Sequence, residues 1–178
     1  YMANIYEIDR WVSGKDYQKN DVIYHELEGK KYYWYALMAI SSSSSAPSLT
    51  NTEWGGVKYS ERTGLLKPYF IWKPSYNLSI GNSPRVRTLR FGDGYEQRVV
   101  DGIDSVLLRA GASFELRDSK EARAIAHFFA ARKGTESFIL KLPPPYDLDK
   151  LYVVRSWSSS IVFYNNYSFK AEFEEVTK

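Results

Sequence analysis

Cysteine is absent from the 178 residues, which removes disulfides, thiolate metal sites and cysteine nucleophiles together, so the fold must hold by packing alone. Histidine is nearly absent: His25 and His127 are the only two. With no histidine–glutamate pair at ligand spacing, they do not build a metal centre. No apolar run approaches the roughly 20 residues of a membrane-spanning helix. No basic-then-apolar opening resembles a secretion signal, and a soluble chain without membrane insertion is expected. The net charge of +3 is too small to argue for a nucleic-acid partner. Its distribution is uneven: residues 1–57 carry 5 basic and 7 acidic side chains, against 19 and 14 from residue 58 onward. That asymmetry predicts two units with different surroundings.

Aromatic residues are plentiful, with Tyr 15, Phe 9 and Trp 5. This balance favours β-structure and contact surfaces over a helical bundle. Two short strands turning at Gly29 are expected first, the second carrying Tyr32-Tyr33-Trp34-Tyr35. Ser41 to Ser45 with Ala46-Pro47 forms a polar loop before Trp54. Residues 58–68 mix glycine, charge and a closing proline, which reads as a linker. Strict alternation places Tyr33 and Tyr35 on one strand face and Tyr32 and Trp34 on the other. These rings are either a miniature core with a docking surface or a partly exposed contact surface.

Beyond residue 69 the pattern is strand after strand. Arg85 to Phe91 and Tyr95 to Val100 flank Gly92-Asp93-Gly94, whose glycines suit the positive φ of a hairpin. A phosphate-cradling loop would have to run into a helix, and Tyr95 to Val100 alternates like a strand instead. Asp93 and Glu96 are conceivable as an acid–base pair. Beside Arg90 and Arg98, however, carboxylates more commonly form ion pairs at a surface or subunit contact. Ser105 to Leu116 predicts a long strand or a strand pair weakened at Gly111. Asp118 is a helix N-cap with Glu121 three residues on, and Ala122, Ile125, Ala126 and Phe129 recur on one face. Arg132, Lys133 and Gly134 suit the far end of that helix, roughly 14 residues in all. His127 on it is better explained as a satisfied or surface residue than as a base. Asp147 and Asp149, two loop carboxylates, are too little for a cation site.

Phe138 to Leu140, Leu151 to Trp157 and Ser160 to Glu175 complete the strands, with a turn expected at Asn165-Asn166. Tyr167, Phe169, Ala171 and Phe173 share one face of the last strand, which predicts that this face is buried. No nucleophile–base pair, metal cluster or cofactor loop emerges, so neither an enzyme nor a cofactor is expected.

Two resemblances add to this reading. The order Trp11, Tyr17, Asn20-Asp21-Val22, Tyr24, Gly29, Tyr32, Tyr33, Pro47, Trp54 resembles the small carbohydrate-binding modules attached to chitinases, across residues 1–57. It implies contact with a host-surface glycan through Trp34, Tyr35 or Trp54. The run FGDGYEQR, preceded by the basic strand Pro84 to Arg90 and followed by the ending Phe173-Glu174-Glu175-Val176, resembles the phage minor tail protein M family across residues 69–176. That resemblance implies a mainly β fold with one helix: a β-sandwich or rolled barrel like those of tail-tube proteins, preceded by the small β-rich module. It also implies a structural ring, expected to be a hexamer, at the tip of a long non-contractile tail. Contacts with the tail tube protein, the tape measure protein and the next tip protein would follow, with DNA only passing through. Such a protein is made and assembled in the host cytoplasm and carried on the virion tail. Arg85, Arg87, Arg90, Asp93, Glu96 and Arg98 are then the expected subunit-contact residues.

Overall fold

The computed structural model of the protein describes residues 8–75, 78–84, 86–90, 92, 94, 96–100 and 106–176. Strands β1 (Val22–Leu27), β2 (Lys30–Ala36) and β3 (Trp54–Gly55) form an antiparallel sheet in that order. Glu28 and Gly29 join β1 to β2 with φ of 52° and 79°, the double positive φ that lets a two-residue turn match strand twist. Alternation along β2 holds, and both of its faces are covered. Trp34 and Ala36 enter a small core with Tyr17, Ile23, Ile40, Trp54 and Val57, with Tyr32 packed at its edge. Tyr35 instead joins the main core, with Tyr33 packed against it.

Residues expected as a linker are structured. β4 (Val57–Tyr59) pairs antiparallel with β5 (Leu66–Pro68). The loop between them closes through Ser60, whose amide donates to the Leu65 carbonyl and whose carbonyl accepts from Gly64, both at 2.8 Å. Glycine and charge in this stretch mark its tight turn, with Gly64 at φ 69°.

The rest is built from β6 (Ser79–Pro84), β7 (Val86–Arg90), β8 (Glu96–Val100), β9 (Val106–Arg117), helix α1 (Ser119–Arg132), β10 (Phe138–Leu140), β11 (Lys150–Phe163) and β12 (Asn166–Val176). β10-β11-β12-β9-β6 form one antiparallel sheet, and β7 pairs with β8 alone. The chain is thus mainly β with one helix among the described residues. Two expectations shift. Ser158 to Ser160 does not break β11, because these serines pair with Lys170, Phe169 and Ser168 of β12; pairing overrides weak strand propensity. The hairpin turn falls on Tyr164 and Asn165, since Phe163 pairs with Asn166 and Asn165 takes φ 60°. The register of β11 jumps between Val154 and Ser156, and a bulge of this kind adds bend and twist to a sheet.

Helix α1 begins where the cap predicts. The Asp118 carboxylate accepts from the Glu121 amide at 2.8 Å, satisfying one of the free N–H groups of the first turn. Glu121 does not close a capping box; its carboxylate takes Arg117 at 2.9 Å. Lys133 (φ 53°) and Gly134 (φ 69°) end the helix in the left-handed region. Ala122, Ile125, Ala126 and Phe129 are buried as expected, and so are Ala124 and Phe128. The extra burial arises because α1 is covered by the large sheet and also by β2.

Phe70 stands at the centre of the main core. Its ring lies 5.1–6.2 Å from those of Trp72, Phe114, Phe128, Phe129, Phe138 and Phe173. Its amide donates to the Ile139 carbonyl at 3.0 Å, so this segment is held by backbone and ring together. The buried face of β12 is the one expected, with Phe169, Ala171 and Phe173 inside.

Candidate assembly site

The arginine hairpin forms as an antiparallel pair, with Val86 opposite Val100 and Arg90 opposite Glu96. Gly94 in the connecting loop has φ 77°, a backbone that favours glycine. Arg98 sits opposite Thr88, two residues from Arg90, so Arg90 and Arg98 share one side of the ribbon. Both are exposed. Arg87 and Glu96 hold register positions opposite Val99 and Arg90. Arg85 and Asp93 lie outside the described residues, as does the turn expected at Asp101-Gly102.

The three rings proposed for glycan contact require correction. Trp34, Tyr35 and Trp54 are 1%, 0% and 3% exposed, so none offers a free face on which a sugar ring could stack. Trp54 meets Tyr17 edge-on at 5.0 Å, and Tyr35 meets Trp72 edge-on at 4.9 Å. The Tyr35 hydroxyl pairs with His127 Nδ1 at 3.0 Å, from β2 to α1. Burial raises the tyrosine well above its ordinary range, Arg132 opposing. Burial, followed by Arg132 and Arg123, lowers His127 to about 4. His127 is therefore neutral near pH 7 and acts as a core partner.

A second buried polar group lies near the end of β12. Glu175 is 3% exposed; its carboxylate accepts from the Leu108 amide at 3.0 Å and faces Arg62 at 3.5 Å and Lys150 at 3.6 Å. The carboxylate thereby ties β12 to β9, to β11 and to the β4–β5 loop. Asp149 pairs with Lys58 and brings β4 of the same hairpin to the start of β11. These contacts are structural, and no group of three histidine or acidic side chains among the described residues is placed to hold a metal ion. No described helix is long and apolar enough to cross a membrane.

The surface feature that sequence reasoning missed is the far end of the β11–β12 hairpin. From Arg155 to Tyr164 every residue of this arm is exposed. Trp157, Ile161, Val162, Phe163 and Tyr164 lie along it, Tyr164 at 95% exposure, with Leu116 of β9 exposed on the neighbouring strand. In the sequence Ile161 to Tyr164 looks like any buried strand. Only the paired length of the hairpin shows that it runs past the core.

A family model for phage minor tail proteins matches residues 68–177. Tail tip protein M of Escherichia phage lambda is 33% identical over 107 residues, which span 60% of this chain and 95% of that protein. A chain of the solved structure "Tail of empty GTA particle computed with helical refinement, C6 symmetry" is 10% identical, with a TM-score of 0.41 over 67% of this chain and 88% of that one. By its match across residues 68–177, the chain belongs to the phage minor tail protein family, a family of structural tail components.

Proposed function

We propose that the protein is a ring-forming subunit at the distal tip of a long non-contractile phage tail. Six copies close the ring, joining the tail tube protein to the next tip protein around the end of the tape measure, and DNA passes through without being held. Assembly takes place in the host cytoplasm. Residues 69–178 carry this role, while residues 1–57, joined through 58–68, form an accessory unit outside the family match. The observation that carries the reading is the exposed apolar arm of β11–β12. An apolar projection of this kind on a chain with a full core of its own is a surface awaiting a partner. A ring requires two different, complementary faces on each subunit. The arm supplies one, and the arginine side of β7–β8 supplies charge for a second.

The test is substitution at the arm. Ile161→Asp together with Phe163→Asp changes exposed side chains only, so melting should stay within about 1 kcal/mol of the parent. Incorporation into tails should fall to background. Normal incorporation of the double variant would refute the assignment of the arm.

A further inference from the structure

A concave site lies between β2, the β4–β5 hairpin and the end of α1, with a volume of about 440 Å³. Its wall carries four cationic side chains, Lys30, Lys31, Lys67 and Arg132, against two carboxylates, Glu28 and Glu136. The carboxylates are engaged: Glu136 takes Arg132 at 3.3 Å, and Glu28 accepts from the Tyr59 hydroxyl at 2.8 Å. None of the three lysines has a carboxylate partner among the described residues. Lys67 donates to Ser137 Oγ at 3.2 Å, and Lys31 lies over the rings of Tyr24 at 4.2 Å and Tyr33 at 5.3 Å. Three lysines therefore line one open concavity: Lys67 rests on a hydroxyl, Lys31 lies over two rings and opposite Glu26 in register, and none is within ion-pair distance of a carboxylate among the described residues.

Arg132 makes the site more than a cluster of surface lysines. It is 5% exposed, its guanidinium lies 5.1 Å from the Phe128 ring centre, and its Nε has no hydrogen-bond partner. A buried guanidinium with an unfilled donor is costly to keep; one terminal nitrogen already meets Glu136, and the other terminal donors fit an oxyanion. Sugar stacking is the weaker match here. Tyr33 is already covered by Lys31 and meets His127 edge-on at 4.7 Å.

We propose that this cleft binds a phosphate group through Lys30, Lys31, Lys67 and Arg132. A multiply charged tetrahedral oxyanion satisfies several lysine point charges and one guanidinium at once, which a single carboxylate cannot do. The volume leaves room for a small group attached to the phosphate, within the range of ordinary ligand sites. The shared chemistry is phosphate, either free or borne on a polyol.

Calorimetric titration of the full chain with inorganic phosphate, pyrophosphate and glycerol phosphate, beside sulfate and a glutamate-rich peptide, tests this. Saturable binding of one or more phosphate compounds is expected. Tighter binding of glycerol phosphate than of inorganic phosphate would identify the borne form, and the reverse order the free ion. The Lys30→Gln/Lys67→Gln variant, which leaves the buried Arg132 in place, should weaken binding about tenfold or more, because each lost charge-assisted contact is a substantial share of a small ligand's affinity. No saturable phosphate binding, binding unchanged in this folded variant, or preference for the acidic peptide would each overturn the proposal.

Discussion

The pairing of Tyr35 with His127 makes stability depend on pH in a calculable way. His127 is 4% exposed, faces Tyr33 and Tyr35 from β2, and has Arg123 and Arg132 on its own helix. Its folded value near 4 lies below the ordinary 6.5. Between those values the unfolded chain binds a proton that the folded chain refuses. This contribution is fully present above pH 6.5 and is lost as pH falls toward 4. Between pH 7 and pH 5 the loss is about 2 kcal/mol. For a chain of this size that lowers the melting temperature by about 4–8 °C. Carboxylates titrate at the lower end of the same range, so a variant must isolate the histidine. In His127→Gln the side-chain oxygen can accept from the Tyr35 hydroxyl but cannot titrate. Urea unfolding at pH 7, 6 and 5 should show the parent losing about 2 kcal/mol more than this variant. Parallel pH profiles for the two proteins would refute the buried, neutral His127 paired with Tyr35.

Three further outcomes follow from the packing. Phe70→Ala removes the ring at the centre of the main core and should cost about 3–5 kcal/mol by chemical denaturation, with loss of near-ultraviolet dichroism. Glu175→Ala strips the carboxylate from the partly exposed Arg62 and Lys150 and leaves the Leu108 amide unpaired, which should cost about 1–3 kcal/mol; a loss below about 0.5 kcal/mol would show that the contacts are solvated. Asp118→Ala removes the α1 cap and should cost about 1 kcal/mol, with Asn restoring most of it.

Much of the fold was legible from local chemistry. Asp118 and Gly134 marked both ends of α1, and the alternation of Tyr167 through Phe173 identified the buried face of β12. These signals are local: a cap acts within four residues, and a strand's pleat fixes which side chains share a face. What covers a face is not local. Alternation placed Tyr33 and Tyr35 together, but only tertiary packing shows that α1 lies against them, burying a ring expected to meet sugar. The same limit hid the assembly arm, because Ile161 to Tyr164 carries the composition of a core strand and its exposure depends on where the sheet's other strands stop. The linker reading of residues 58–68 missed β4–β5, because glycine and charge serve a hairpin turn as well as a connection.

The proposed function puts six copies of this chain in one ring at the tail tip. Electron cryomicroscopy of intact tails, with a tag on this chain, tests it most directly. Tagged density for six copies in one ring at the distal end of the tube is expected. Tagged density absent from the tail, or spread along the whole tube, would contradict it.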